Sequence, residues 1–294
     1  MFPDKDPFPE RFILVTGGQE MAFSKRDQTI LTDVGKAKAI HRDLEEVLAF
    51  YEKVFQIQFA FKYQLERQEK AGYWEKREIN LRNLASGSPQ IHFEELGLKP
   101  NSLQILYQDI LKLLIPYTGS AYDLNTKPSP EKIIENAQEL FSGKGPLIAF
   151  GASEDIVKTA SGLTLAPYLL LACEGIQPRI PPDSWHRESC PVCGGKPSFA
   201  ALTSDRGPRT LLCPRCFGEW SYNRIGCPFC NAKDSQTYYP SDDGRYRLYV
   251  CQVCQRYLKT ADVRNRERDF CLPVANIVTV SMDLAAQGQG YKFY

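Results

Sequence analysis

The chain has 294 residues, of which 43% are hydrophobic and 24% are charged, and its formal net charge is +1. This length allows two or three domains, and the composition is ordinary for a soluble globular protein. No uninterrupted apolar run approaches the ~20 residues of a membrane-spanning helix. The N-terminus lacks the basic and apolar segments of a signal peptide, so we expect a cytoplasmic protein.

The first half of the sequence predicts an all-helical domain. After an extended, Pro-rich segment over residues 1–24, apolar residues recur at helical spacing from about 27 to 70. Gly35 is expected to mark a break near the start of this helix, and Gly72 its end. Two further helical stretches are predicted at about 74–85 and 102–115, with Ile105 on the buried face of the second.

Two later helices have clear boundary signals. Ser129 and Pro130 predict the start of one helix, and Gly143 predicts its end. The signals of the last helix are, in chain order, a cap at Ser153, bends at Gly162 and Pro167, and an end after Cys173 at Gly175. A short, stiff, Pro-rich linker at residues 177–182 is expected to be non-helical and to keep the following region close to the helices.

Four CxxC motifs follow the linker. Gaps of 19, 10 and 20 residues separate successive motifs, so the motifs form two pairs. Each pair offers four thiolates at tetrahedral corners, which suits zinc or iron. The sequence therefore predicts two four-cysteine metal sites, with Cys190, Cys193, Cys213 and Cys216 in the first and Cys227, Cys230, Cys251 and Cys254 in the second.

Each pair of motifs also encloses a predicted β-hairpin. A Ser-Asp-x-Gly turn, at 204–207 and again at 241–244, precedes a short apolar run into the second motif of the pair. Gly194 and Gly195 fit a turn that needs positive φ and close approach of the backbone to sulfur. Trp220 and Tyr257 are expected to pack beside these turns as small-core residues.

The sequence thus predicts a multidomain α+β chain with a helical domain over residues 1–183 and metal-binding domains over 184–225 and 226–294. Disulfides are not implied, because no secretion signal is present. A thioredoxin-like redox pair would need one motif in a βαβ unit, not four on hairpins. Cys173 is expected to be a buried structural cysteine and His186 to stay outside the four-cysteine sites, while Cys271 also lies outside the motifs.

No motif for catalysis is present. The sequence has no Gly-rich phosphate loop, no H-E-x-x-H and no G-x-S-x-G. A metal ion held by four cysteines also has no open coordination position for a substrate. Both observations favour a protein that is not an enzyme.

The second half of the sequence resembles the FdhE family, accessory proteins for formate dehydrogenase formation. The matching features are Trp185, C-P-V-C-G-G at 190–195, C-P-R-C-F-G-E-W at 213–220, Arg224, C-P-F-C at 227–230, C-Q-V-C-Q-R-Y-L-K at 251–259, M-D-L-A-A at 282–286 and Gly290-Tyr291. The resemblance implies an all-α domain followed by two rubredoxin-like domains whose eight motif cysteines are the functional residues. It also implies a cytoplasmic, non-catalytic maturation factor whose partner is the catalytic subunit of a formate dehydrogenase.

Two other classes of protein stay open at this point. An iron tetrathiolate would allow a redox or thiol protein. A nucleic-acid-binding zinc ribbon would use arginines for phosphates and tyrosines for stacking. Those residues are Arg206, Arg209, Arg215, Arg245, Arg247, Arg264, Arg266 and Arg268, with Tyr238, Tyr239, Tyr246 and Tyr249.

The net charge of the cysteine-rich region argues against a nucleic-acid-binding function. Residues 190–272 have 13 Lys and Arg against 8 Asp and Glu. Two divalent ions, each held by four thiolates, would lower the net charge of this stretch from +5 to about +1. A nucleic-acid-binding face is usually strongly basic.

Overall fold

The computed structural model describes residues 23–68, 72–119, 122–143, 147–233, 235–264 and 270–293. Most of the predicted N-terminal extended segment, residues 1–22, lies outside the described residues. The α-helices of the described residues are α1 Lys25–Ile40, α2 Glu45–Gln68, α3 Tyr73–Lys76, α4 Leu81–Ser86, α5 Pro100–Leu114, α6 Pro130–Ser142, α7 Glu154–Ile176, α8 Leu272–Val278 and α9 Val280–Gly288. The β-strands are β1 Phe199–Leu202, β2 Arg209–Leu212, β3 Glu219–Tyr222, β4 Gln236–Pro240, β5 Tyr246–Cys251 and β6 Tyr257–Asp262.

The architecture is mixed α+β, as the sequence predicts. Helices α1–α7 form a helical part that precedes a sheet-containing part with all four CxxC motifs. We call β1–β3 with the first two motifs the first cysteine unit, and β4–β6 with the last two motifs the second cysteine unit.

Helix α7 is the centre of the helical part. It packs against α2, α3, α5 and α6, and most of its residues are buried. The helix is not split at Gly162, and it continues past Gly175, where its end was predicted, to Ile176. Gly175 serves packing instead, since a Cβ there would lie 2.6 Å from the Cβ of Trp74.

The helix is not split at Pro167 either, for a reason that lies on another helix. Proline has no N–H, so the carbonyl of Leu163, four residues earlier, loses its helical partner. In this fold the side chain of Gln58 on α2 donates to that carbonyl through Nε2 at 2.9 Å. The hydrogen bond from α2 replaces the missing one, and α7 continues through the proline.

One segment, α7 with the turn that follows it (Glu154–Arg179), is long and apolar enough to cross a membrane by composition, with a mean hydropathy of 1.5 in its most apolar window. In the folded chain 78% of that window is buried. Such burial is typical of the central helix of a helical core, and its neighbours α2, α5 and α6 cover it here.

The first predicted helix is two helices. The break is at His41, between α1 and a short 3₁₀ turn that leads into α2, and not at Gly35, which lies inside α1. Helices α1 and α2 pack against each other. Both bury apolar residues in the same core, so the apolar pattern continues across the turn and hides it.

The second predicted helical stretch is also divided. It forms α3 and α4, separated by the extended residue Arg77 and by Asn80, whose side chain caps α4. Ile105, expected on the buried face of α5, is 55% exposed. The other four residues predicted for this face are buried, namely Leu106, Ile110, Leu113 and Leu114, so only Ile105 departs from the prediction.

The predicted boundaries of α6 are confirmed. The Ser129 side chain accepts from the Lys132 N–H, Pro130 is the first helical residue, and Gly143 ends the helix with a left-handed φ of 67°. The Pro-rich linker was expected to be non-helical. It includes two short 3₁₀ turns instead, Gln177–Arg179 and Pro182–Ser184. The N–H groups in the first turn of a 3₁₀ segment have no partner within the segment, so proline there costs no hydrogen bond and the linker can form these turns.

The six strands form one sheet in the order β3-β2-β1-β6-β5-β4. The two predicted hairpins are confirmed, as β1–β2 and β4–β5. All neighbouring strands are antiparallel except β1 and β6, which pair in parallel and join the two cysteine units. The sheet therefore crosses the predicted domain boundary at residues 225/226, and the three-domain division stays a prediction.

Two C-terminal helices that the sequence did not predict cover the sheet. Helix α8 packs on β1, α1 and α2, and α9 packs on β6. The first cysteine unit shares one hydrophobic core with the helical part, which includes Val192 and Trp220 of the unit and Leu106 and Leu169 of the helices. The expected closeness of the helical and cysteine-rich regions is thus confirmed.

Candidate metal centres

The first cluster consists of Cys190, Cys193, Cys213 and Cys216, all buried, with Sγ atoms within 4.8 Å of one another. The Sγ–Sγ separations are 3.6 Å for Cys190–Cys216, 3.5 Å for Cys193–Cys213 and 3.6 Å for Cys193–Cys216. Four sulfurs around a zinc ion at ~2.3 Å would lie ~3.8 Å apart. The separations are close to that tetrahedral edge and far too long for a disulfide.

The second cluster consists of Cys227, Cys230, Cys251 and Cys254. Its Sγ–Sγ separations are 3.6 Å for Cys227–Cys254 and 3.7 Å for Cys230–Cys251. Unlike the first cluster, it is open on one side: Cys230 is exposed and Cys254 is half-buried. The two clusters thus have the same four-cysteine donor set but differ in their exposure to solvent.

The four CxxC turns have the same backbone pattern. In each, the N–H of the residue after the second cysteine donates to the carbonyl of the first cysteine, at 2.8–3.0 Å. That residue has a positive φ in every turn: Gly194 (72°), Phe217 (54°), Asn231 (57°) and Gln255 (54°). Repetition of the turn brings each motif's two sulfurs to one side of the chain.

Glycine was expected at these turns, and only the first turn has it at the left-handed position. At Gly195 the reason is space, because a Cβ would lie 2.9 Å from the Cys213 Sγ. The close approach of backbone to sulfur is therefore as predicted. In the other three turns a non-glycine residue takes the left-handed conformation.

The donor chemistry of the clusters fits a divalent cation. Burial raises the pKa of Cys190 and Cys216, while hydrogen bonds from neighbouring thiols lower that of Cys213 against the effect of burial. Burial thus disfavours the thiolates of Cys190 and Cys216, and a cation between the four sulfurs would stabilise them. Backbone N–H groups also point at the sulfurs, from Gly218 to Cys216 and from Phe229 to Cys227, both at 3.4 Å. Each cluster could hold a metal ion.

One thiol of the second cluster is acidic. Burial opposes its ionisation, but the Ser235 hydroxyl and the N–H groups of Cys254 and Val253 stabilise the thiolate and lower the pKa of Cys251 to about 6. A thiolate at neutral pH is the form that binds metal. Cys251 is thus prepared as a ligand.

The helical part encloses the first cluster. The N–H groups of Gln90 and Ile91 donate to the carbonyls of Pro191 and Val192, between the cysteines of the first motif, at 2.9 and 3.0 Å. The Arg215 guanidinium, between the cysteines of the second motif, donates to the carbonyls of Leu140 and Phe141 at the end of α6. The first cluster is therefore a junction between helices and sheet.

The remaining expectations on single residues are borne out. Cys173 is fully buried on α7, and His186 is exposed and belongs to neither cluster. Trp220 and Tyr257 are buried, at 5% and 2% exposure, beside the first and second units.

No model of a known protein family matches the chain. The chain is 29% identical to the FdhE homologue of Aquifex aeolicus strain VF5 over 220 residues, which cover 71% of this chain and 73% of the relative. It is 27% identical to the FdhE homologue of Haemophilus ducreyi over 111 residues, 36% of this chain and 35% of that one. Among solved structures, the FdhE protein from Pseudomonas aeruginosa has a similar fold, with a TM-score of 0.58 and 18% identity over 91% of both chains.

The chain is thus similar to FdhE proteins, in sequence to the Aquifex aeolicus homologue and in fold to the solved structure. The resemblance inferred from the CxxC motifs is thereby confirmed, and the FdhE fold extends it to the helical part, where the motif comparison had little to match.

Sequence reasoning missed the residues of the helical part that lie beside the first cluster. Cys173 lies near Cys216, since a Cβ on Gly218 would lie 3.2 Å from both of their sulfurs. The Arg26 guanidinium reaches the same turn. No spacing rule points to them, because they are far from the motifs in sequence.

Proposed function

We propose that this protein is a member of the FdhE family and acts as a non-catalytic accessory factor for the formation of an active formate dehydrogenase. Sequence similarity to an FdhE homologue is the observation that carries the proposal. Two complete four-cysteine clusters support a role in binding or folding, because a metal ion with four protein ligands has no free coordination position for a substrate. The proposed location is the cytoplasm, where thiols stay reduced.

In this proposal each cluster holds one zinc or iron ion through its four cysteines. Zinc would stabilise the small cysteine units, which have little core of their own, and iron would add one-electron chemistry. The second cysteine unit has a small hydrophobic core, which consists of Leu248, Val250 and Tyr257 with Ala286 from α9, so a bound metal ion would add to its stability.

The proposed partner is the catalytic subunit of a formate dehydrogenase. A cleft of about 1060 Å³ between the helical part and the sheet offers a surface for it. Phe55 and Phe217 lie in its apolar lining, and Lys158 and Glu154 are at its exposed edge. Apolar lining with a charged rim is the usual composition of a protein interface.

The nucleic-acid-binding alternative loses support from the arginines themselves. Arg209 is 1% exposed and donates to the carbonyls of Asn223 and Arg224. Arg215 contacts the end of α6, and Arg247 and Arg264 both pair with Asp262 at 2.6 Å. Arg266 and Arg268 lie outside the described residues. Four of the predicted phosphate-binding arginines are thus engaged within the protein.

One observation favours a redox function as the second candidate. The exposed Cys230 and half-buried Cys254 would bring an iron ion of the second site near the surface, where electron transfer to a partner is short. A reversible visible spectrum of the iron-loaded protein with a cellular electron donor would support this function.

Affinity capture from anaerobically grown cells tests the main proposal. Tagged wild-type protein should enrich the catalytic subunit of a formate dehydrogenase, and the Cys190→Ser/Cys193→Ser and Cys227→Ser/Cys230→Ser variants should lose both one metal ion and the captured subunit. Cys271→Ser is the matched control, because it removes a cysteine outside both clusters.

Two results would contradict the proposal. Unchanged metal content in the cysteine-pair variants would exclude the assigned ligands. Capture of ribosomal material or nucleic acid, with binding that falls steeply with salt, would favour the zinc-ribbon alternative.

A further inference from the structure

The residue of interest is Arg26, at the start of α1 and 164 positions before the first CxxC motif. Its Nη2 donates to the carbonyl of Phe217, the residue that follows Cys216 and has the left-handed φ of that turn. A side chain of the helical part thus holds one of the two turns of the first cluster.

The surroundings of Arg26 are sulfur and polar groups. It lines a cavity of about 590 Å³ together with Cys173, Gln177 and Glu219. Gln177 accepts from the Cys173 thiol and from the Glu219 N–H, both at 3.1 Å. This arrangement links α7 to the strand that leaves the second motif.

The Arg26 guanidinium is partly buried, and no carboxylate of the described residues forms an ion pair with it. Burial opposes its charge, but Cys173, Glu219 and Cys216 outweigh that effect and raise the pKa of the guanidinium. A divalent ion with four thiolates would carry a net charge of about −2 next to this cation.

Helix α1 is held so that Arg26 faces the cluster. The next residue, Asp27, is buried and pairs with Lys62 of α2 at 2.6 Å, and Lys62 pairs with Glu174 of α7 at 2.5 Å. This buried triad fixes the first turn of α1 against both helices. The position of the guanidinium is therefore set by the helical core.

We propose that Arg26 is a positioning residue of the first metal site, which offsets the negative charge of the four thiolates and fixes the turn after Cys216. The inference rests on the proposed metal binding and goes beyond it, because it makes the helical part responsible for metal retention at one site only. The second cluster has its own contacts from the C-terminal tail, where the Lys292 N–H donates to the Gln255 carbonyl at 2.7 Å.

Metal affinity is the first test. In full-length protein with Cys227→Ser and Cys230→Ser, which keeps only the first site, cobalt(II) affinity is measured by competition with a chelator. Arg26→Gln should weaken binding about 10-fold or more, which is typical for loss of a group that supports metal ligands. Arg26→Lys, which keeps the charge, should retain most of the affinity.

The reduction potential of the iron-loaded first site is the second test, because a purely structural role would not move it. Reduction changes the net charge of iron with four thiolates from −1 to −2, so a nearby cation favours the reduced form. Arg26→Gln should therefore lower the potential, and Arg26→Lys should restore most of it. Lys25→Gln is the matched control, since Lys25 is the exposed neighbour on α1.

The outcomes distinguish a failure of the proposed role of Arg26 from a failure of the proposed metal binding. Wild-type affinity and potential in Arg26→Gln, with metal bound, would overturn the role of Arg26 and leave the metal site intact. A wild-type chain that binds no metal would overturn both. An equal loss of affinity in the Lys25→Gln control would show that only overall charge matters, which also contradicts the inference.

Discussion

Gln58 is a polar side chain on the buried face of α2, only 2% exposed. Its position follows from a proline on another helix, because Nε2 fills the place of the N–H that Pro167 lacks. A buried polar group that completes a helix in this way is expected to be costly to remove, since an orphaned carbonyl is left in an apolar core.

Replacement of Gln58 tests this account. Gln58→Leu should lower the free energy of unfolding by about 1–3 kcal/mol, because the Leu163 carbonyl is then buried without a partner. Urea unfolding followed by circular dichroism measures the change.

The matched control is the proline itself. In a Gln58→Leu/Pro167→Ala variant, the alanine N–H can donate to the Leu163 carbonyl, so most of the loss should be recovered. Equal stabilities of the single and double variants would contradict the pairing of Gln58 with the proline.

At the scale of elements, the junction of β6 with α9 depends on a buried ion pair. Lys259 is 2% exposed and its Nζ lies 2.6 Å from Asp283 Oδ2, whose side chain is 19% exposed. Tyr257 also donates to Asp283, at 3.0 Å. Burial lowers the pKa of Lys259, and Asp283 opposes that shift. The pair joins the sheet to α9, a helix that the sequence motifs did not predict.

The two partners should respond differently to substitution. Asp283→Asn should cost about 3 kcal/mol, because it leaves the Lys259 charge buried and uncompensated. Lys259→Met should cost less, since Asp283 is closer to solvent. Denaturant unfolding of both variants gives the comparison.

The double variant supplies the check on this pair. Asp283→Asn with Lys259→Met should be more stable than Asp283→Asn alone, because no buried charge remains. Additive losses in the double variant would show that the two residues do not interact.

At the scale of the whole molecule, the two clusters occupy unlike environments. All four cysteines of the first are buried between helices and sheet, whereas Cys230 of the second is exposed. The parallel pairing of β1 with β6 joins the units into one sheet. A repeat in sequence therefore yields one enclosed site and one open site.

This asymmetry predicts the order of metal loss. A chelator added to the metal-loaded protein should remove metal in two phases of one equivalent each, with the open second site emptied first. The time course of metal release, measured with a coloured indicator, shows the phases. The fast phase should be absent from Cys227→Ser/Cys230→Ser and present in Cys190→Ser/Cys193→Ser; the reverse assignment would refute the prediction.

Much of the candidate site was predictable from the sequence because its information is local. Two cysteines separated by two residues share one turn, and the turn repeats, so the spacing gives the two groups of four cysteines and the hairpins between them. The caps of α6 were predictable for the same reason, since Ser129 and Gly143 act within one helical turn of their own positions. Three left-handed turn positions without glycine carried no such signal.

Local signals failed wherever a distant part of the chain supplied the missing partner. Pro167 predicts a bend, and only the fold shows Gln58 beside it; Gly175 predicts an end, and only the fold shows Trp74 against it.

The sequence by itself determined the α+β order of elements, the eight clustered cysteines and, through their motifs, the resemblance to the FdhE family. The tertiary structure decided that the two units form one sheet, that the helical part encloses only the first cluster, and that Arg26 lies beside it. The reason is physical: ligand spacing is set by a few consecutive backbone torsions, whereas burial and charge around a site depend on contacts between residues far apart in the chain.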